Sequence, residues 1–387
     1  MREHPAILTL FAVPKMKADT EFRIAVLPGD GIGIEVMQAC LEVLGALCQH
    51  IGGFRCATEY FPGGAAYYRD NGIALPDETL KATQTADAIL FGAMGLPDVR
   101  MPDGTEINPQ IDIRFALDLY AGVRPVRALP GGPRVLSDTR AQNIDLIVVR
   151  EQSEGMFVDF HKGKLEGDLS ATDRCLITRT GTERIVDFAF RLAERRRARG
   201  GPCRVTCVDK ANVMTSMAFF RKVFDERRKR FPHITADHLH IDAAALHLVR
   251  RPWTFDVLVA ENLFGDILSD LAAGLIGGMG MAPSADIGDK HAMFQPCHGS
   301  APDIAGSDKA NPTAMFLSAA MMLKWLGERH GADSCLMAAR HLQQAIARGF
   351  ANGRISPVEF GGSDGTSAIT HTVIDIIKQQ ALTDAPH

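Results

Sequence analysis

Short β-branched runs alternate along the chain with stretches of helical period. Arg23 to Leu27, Ala88 to Phe91, Ile144 to Arg150, Arg204 to Val208 and Asp256 to Ala260 read as strands. Between them, Ile185, Phe188, Ala189 and Leu192 fall on one helical face behind Thr180-Gly-Thr-Glu183, which is placed as a capping box. Strands alternating with helices give an α/β class, and the 185–192 helix is expected to pack on a sheet. From Phe157 to Asp173, charged residues and glycines break any long period, which predicts an exposed ribbon or arm. No internal repeat or low-complexity linker is visible.

With 387 residues, 46% of them hydrophobic, the chain suffices for two domains or one large one. Cys40, Cys48, Cys56, Cys175, Cys203, Cys207, Cys297 and Cys335 lack paired metal-ligand spacing, so free thiols in a reducing cytoplasm are expected. Cys203 and Cys207 share one face of a strand-like run, which favours burial over zinc binding. The net charge of -4 gives no general attraction to nucleic acid. The basic runs Glu194 to Arg199 and Asp225 to Arg230 read as solvated helix ends, where cations oppose the negative pole of the helix dipole. No apolar run is expected to span a bilayer. The opening stretch carries Pro14, Lys15 and Lys17 where a signal cleavage site would lie, so it is not read as a signal peptide, and Met1 and Met16 both stand as starts.

Leu27-Pro-Gly-Asp-Gly-Ile-Gly-Ile-Glu35 follows a strand and opens a helix, as a phosphate-binding loop does. It lacks the full GxGxxG spacing, and no strand ending in a ribose-binding acid follows about twenty residues on, which argues against a Rossmann fold. Asn262-Leu-Phe-Gly-Asp-Ile-Leu-Ser-Asp270 carries stronger chemistry. Asp266 and Asp270 lie four residues apart on one helical face, where two carboxylates repel unless compensated. A hard divalent cation held by oxygen ligands is the natural compensation.

The ordered set PGDGIG, VDKANV (208–213), IDAAA (241–245), NLFGDILSDLAAGLIGG, His298-Gly-Ser-Ala-Pro-Asp-Ile-Ala-Gly306 and Ala310-Asn-Pro312 resembles the isocitrate/isopropylmalate dehydrogenase family. The resemblance runs from about residue 23 into the C-terminal region. It implies a homodimer with a discontinuous large cofactor-binding domain, 1–119 with 277–387, around a smaller metal and dimerisation domain, 120–276, with a protruding arm at about 151–175. Each active site would then borrow residues from the partner subunit. By the same resemblance, Asp242, Asp266 and Asp270 match the ligands of magnesium or manganese, with Asp242 supplied by the neighbour. Lys210 matches the catalytic lysine, also supplied across the dimer and working beside Asp242, and Asn212 falls near the nicotinamide. Arg114, Arg124 and Arg150 match three substrate arginines, whose guanidinium forks suit a dicarboxylate. His298, Gly299, Ser300, Ala301, Pro302, Asp303, Ile304 and Asn311 match the NAD-binding signature. Asp303 stands beside the adenosine ribose, where its charge favours NAD over NADP.

The implied activity is NAD-dependent oxidative decarboxylation of a malate-type 2-hydroxy diacid: hydride leaves C2, and carbon dioxide leaves the resulting 2-oxo acid. The sequence departs from the family in the arm, where the expected tyrosine aligns with Phe157; His161, on the same face of an extended segment, is the candidate replacement acid. Ahead of Arg114, Ile107, Ile111 and Ile113 offer a modest apolar pocket, whereas Asn108 and Gln110 suit a polar substituent on C3. The reading is 3-isopropylmalate or a close analogue, with tartrate or D-malate next, then isocitrate. A non-catalytic regulatory subunit is the alternative of another class.

Overall fold

The computed structural model describes residues 19–160 and 162–383; the two candidate start methionines and His161 lie outside them. The strands are β1 (Thr20–Gly29), β2 (Phe54–Tyr60), β3 (Ala88–Ala93), β4 (Ala121–Arg127), β5 (Asp145–Glu151), β6 (Lys164–Glu166), β7 (Ser170–Thr172), β8 (Arg204–Asp209), β9 (Thr235–His240), β10 (Val257–Ala260), β11 (Pro283–Ile287) and β12 (Ala292–Pro296). The helices are α1 (Ile32–Ile51), α2 (Ala65–Asn71), α3 (Asp77–Thr85), α4 (Pro109–Ala116), α5 (Arg179–Arg197), α6 (Thr215–Arg227), α7 (Ile241–Arg250), α8 (Asn262–Gly274), α9 (Thr313–His330), α10 (Asp333–Ala351) and α11 (Thr366–Thr383). All five strands read from the sequence are present, extended or trimmed by a few residues at their ends.

Ten strands form one sheet in the order β2-β1-β3-β12-β11-β4-β5-β10-β8-β9. Two parallel blocks, β2-β1-β3-β12 and β5-β10-β8-β9, meet through β11 and β4, which pair antiparallel with their neighbours. That junction of two antiparallel strands in mid-sheet departs from a Rossmann arrangement, in which two βαβαβ halves join into one mostly parallel sheet. Strands from outside residues 120–276 occupy one half of the sheet, and strands from within it occupy the other. β3 and β10 are buried at every position because helices cover both faces, which explains their unbroken apolar runs.

The α5 start corrects the sequence reading. Thr178, not Thr180, caps the helix, accepting from the Gly181 amide at 3.0 Å. Glu154 displaces the expected box by accepting from the Thr178 amide (3.0 Å) and hydroxyl (2.6 Å), while Glu183 turns to Arg179 and Arg227. The capped helix packs Phe190 against Phe224 and Phe231, at ring-centroid distances of 5.4 and 4.9 Å. The bilayer expectation also needs correcting. Helix α1 is long and apolar enough to cross a membrane, but Val36, Met37, Cys40, Val43, Leu44 and Leu47 are buried in the core beside α9, α10 and α11.

The arm folds as expected into an exposed hairpin, β6 with β7, carrying Leu165 and Leu169 into solvent. At its base, burial pushes the Glu151 carboxyl up to about 7, although Ser153 and the Glu154 amide donate to it. A folded-state value above the unfolded one means that Glu151 costs nothing below about pH 4.5 and opposes folding increasingly as pH rises through 7. Urea unfolding should therefore show Glu151→Gln gaining about 1–3 kcal/mol on the unmodified protein between pH 5 and pH 8. A difference independent of pH would refute the burial argument.

Candidate active site

Where the two parallel blocks meet, a cleft of about 510 Å³ opens between the ends of β3 and β12 on one side and of β5 and the α8 start on the other. Arg114, Arg124 and Arg150 all line it, although they lie on α4, β4 and β5. Arg150 is fixed from behind: its Nε and Nη2 donate to Asn262 Oδ1 at 2.9 and 2.7 Å, and its Nη1 donates to Asp266. Asn262 is held in turn by donating to the Glu154 carbonyl at 3.0 Å. Burial, with Arg114 and Arg124 close by, lowers the Arg150 guanidinium to about 10, still fully charged near neutrality.

Asp266 and Asp270 share the α8 face that looks into the cleft. Glu261 holds the helix start there, accepting from the Leu263 and Phe264 amides at 3.1 and 2.8 Å. The Asp270 carboxyl is pushed up by burial and by the Asp266 charge, the repulsion that the four-residue spacing predicts. Oxygen-only donors whose mutual repulsion Arg150 relieves only in part fit magnesium or manganese. Asp242 does not join them. It sits at the α7 start with Lys210, whose Nζ is 2.6 Å from Asp242 Oδ1, and neither residue lines the cleft of its own chain. Among the described residues no three-ligand metal cluster forms within one subunit. Asn212, exposed beyond β8, is likewise outside the cleft lining.

The cofactor signature follows β12 and forms the cleft's rim. His298 and Gly299 line the cleft, and Pro302 and Asp303 are exposed beyond them. The His298 Nδ1 faces the Gly299 carbonyl at 2.9 Å, burial lowers the ring's pKa, and its buried Nε2 has no partner among the described residues. That orphaned nitrogen and the open backbone of Gly299 fit a polar cofactor. The PGDGIG loop serves this rim rather than a phosphate: the Ile32 amide donates to the Ser300 carbonyl at 2.7 Å, and a Cβ at Gly31, where φ is 54°, would meet that oxygen at 2.0 Å. Asp30 locks the loop by accepting from the Ala65, Ala66 and Gly95 amides at 2.7–2.8 Å. Asn311 is buried, donating to Glu359 at 2.9 Å and accepting from the Thr313 amide at 3.1 Å, so its side chain anchors the loop within this chain.

Three further placements modify the sequence reading. Phe157 does lie in the cleft wall, its ring 5.6 Å from the Arg150 guanidinium carbon, and no hydroxyl-bearing side chain lines the cleft among the described residues. Ile107 and Ile113 point into core clusters, leaving Ile111 as the sole isoleucine at the cleft, beside Glu106, Asn108 and Gln110. The sequence reading also missed Asp286, Gln152, Gln295 and Asn262, which surround the arginines. Asn262 opens a motif that was read only for its acids; the other three carry no spacing signal.

The isocitrate/isopropylmalate dehydrogenase family profile matches residues 23–377. The chain belongs to that family. It is 43% identical over 344 residues to the 3-isopropylmalate dehydrogenase of Moorella thermoacetica, covering 85% of this chain and 92% of that one. It is 39% identical over 365 residues to a protein of Agrobacterium vitis named as a probable tartrate dehydrogenase/decarboxylase, covering 92% and 98%. The structure matches that of isocitrate dehydrogenase from Methylococcus capsulatus with a TM-score of 0.80 and 34% identity, over 92% of this chain and all of the other. As an isocitrate/isopropylmalate dehydrogenase family member, the chain is a decarboxylating oxidoreductase that acts on the CH–OH carbon of a hydroxy acid.

Proposed function

We propose that the protein is a cytoplasmic, NAD-dependent enzyme that oxidises and decarboxylates 3-isopropylmalate or a close malate-type analogue. The convergence of three arginines and two acids in one cleft carries this reading. Arg114, Arg124 and Arg150 grip the substrate carboxylates, and the fixed Arg150 fork sets the orientation of C2. Asp266 and Asp270, with Asp242 of a second copy, would hold a divalent cation, which would supply Lewis acidity at the substrate hydroxyl. The 298–304 loop would hold NAD, whose chemistry would supply the hydride acceptor. Lys210, brought from that second copy, moves the proton. Phe157 closes the cleft over Arg150 without donating a proton, so the carbon left by carbon dioxide is protonated by another group or water. The discontinuous division at residues 120 and 276 places this cleft between two domains of a homodimer.

One observation favours a second substrate. Gln110 Nε2 donates to Asn108 Oδ1 at 3.0 Å, and Gln110 Oε1 is buried without a partner among the described residues. A hydroxyl on C3, as in tartrate, would satisfy it, whereas an isopropyl group would leave it unpaired. A panel of 3-isopropylmalate, tartrate and D-malate, assayed with NAD and manganese, tests the function. Reduction of NAD with release of carbon dioxide is expected, and inertness towards every diacid would overturn it. In the same assay, Asp303→Lys should move preference towards NADP, because the present carboxylate repels a 2'-phosphate. Equal efficiency with both cofactors in the unmodified protein would refute that role for Asp303.

A further inference from the structure

Beneath the arginines lies a carboxylate that the cleft does not expose. Asp286 stands on β11 opposite Gly122 of β4, and its side chain is fully buried. Its Oδ2 accepts from Arg114 Nε and Gln295 Nε2, both at 2.8 Å, and its Oδ1 lies 3.6 Å from Arg124 Nη2. Burial acts to raise the Asp286 pKa, but Arg114 and Arg124 outweigh it and hold the carboxyl below the usual range. It is therefore ionised at neutral pH, directly under two of the groups that would meet substrate.

Its charge completes a balance. Arg114, Arg124 and Arg150 stand against Asp266, Asp270 and Asp286, three of each sign. The other charged rim residue, Glu106, is matched by Arg100 at 2.6 Å, and burial keeps His298 neutral. The fixed groups of the cleft thus sum to zero. In the cleft before the cofactor binds, a divalent cation would raise the sum to two positive charges, which a dicarboxylate cancels and a tricarboxylate overshoots by one. Uncompensated charge is expensive in a partly buried site.

We propose that Asp286 is a specificity-determining residue that sets the cleft for dianionic over trianionic hydroxy acids by neutralising one of its three arginines. This rests on the functional reading above. Asp286 acts through Arg114 and Arg124, so it is a positioning residue rather than a catalytic one. Without its charge, the metal-loaded cleft would match a tricarboxylate.

The test uses Asp286→Asn, which keeps the shape and removes the charge, and Asp286→Asn with Gln295→Glu, which returns a carboxylate beside the same guanidinium groups. Values of kcat/KM with NAD and manganese are compared for 3-isopropylmalate, tartrate and isocitrate, alongside calorimetric binding of the same acids without metal. Asp286→Asn should lower the dicarboxylate-to-tricarboxylate ratio roughly tenfold, mainly through KM, with the same direction in binding. The double variant should restore the ratio. Should Asp286→Asn not fold, Asp286→Ser, smaller and also uncharged, is expected to lower the ratio in the same direction. An unchanged ratio in the folded variants, or no restoration in the double variant, overturns the proposal while diacid turnover upholds the functional reading. No turnover of any diacid by the unmodified protein would overturn both.

Discussion

Asp270→Asn should abolish most metal-supported turnover while making the metal-free protein slightly more stable. The two effects have opposite signs because one group has two roles. In the metal-free chain, Asp270 lies on the exposed, cleft-facing side of α8, and its carboxyl is pushed up by desolvation and by Asp266 one helical turn away. Removing its charge relieves a like-charge pair worth about 0.5 kcal/mol on a helix surface. With a cation present the same charge is a ligand, and its loss should weaken manganese binding by on the order of a hundredfold, since affinity at oxygen sites tracks ligand charge. Asp266→Asn should behave differently. Asp266 also accepts from Arg150, so its loss frees the guanidinium and raises KM for the diacid as well as the manganese requirement. Manganese titrations of activity, paired with thermal melts in chelator, separate the roles. Undiminished turnover of the unmodified protein in excess chelator would sink the metal assignment for both residues.

The sequence made legible what depends on local order. Asp266 and Asp270 were found because helical spacing alone puts them on one face, and β1, β3, β5, β8 and β10 because each carries a short β-branched, apolar run. β11 and β12 escaped that reading. They are short, and β11 carries Ser284 and Asp286 inward, so its buried face does not look apolar. The same fact hid Asp286 as a site residue: a buried carboxylate is intelligible only once Arg114 and Arg124, more than 160 positions away, are seen beside it. The isoleucine pocket failed for a related reason. Helix α4 begins at Pro109, so Ile107 precedes it and turns into the core with Ala65 and Ala74, while Ile113 falls on the buried face of the helix. The α5 cap was misplaced by two residues because Glu154, from the far side of the arm, selects Thr178. Non-local partners decided each of these outcomes, and single-sequence periodicity carries no record of them.

Mixing two inactive variants should recover activity. Lys210 and Asp242 form an exposed ion pair 2.6 Å apart at the ends of β8 and β9, away from the cleft that holds Arg114, Arg124, Asp266 and Asp270. An ion pair with an exposed acid adds little to stability, so packing within one chain does not explain the placement. The proposed role at the cleft of a second copy would explain it. Lys210→Ala should therefore lose on the order of a thousandfold in kcat as a homodimer, because its sites lack the proton-transfer group. Arg114→Ala should fail chiefly through KM, because it lacks one carboxylate fork and leaves Asp286 without its nearest cation. In a dimer containing one of each, the site combining Arg114 of the first variant with Lys210 of the second is intact, and the other site carries both lesions. Random reassortment of equal amounts makes about half the dimers mixed, so about a quarter of the unmodified activity should return. The measurement is turnover at a diacid concentration far below the KM of Arg114→Ala, after mild dissociation and dilution, with exchange verified by mass spectrometry of differently tagged chains. Activity that stays at the sum of the two variants, despite verified exchange, would mean that each subunit builds its site alone and that Lys210 serves some other end.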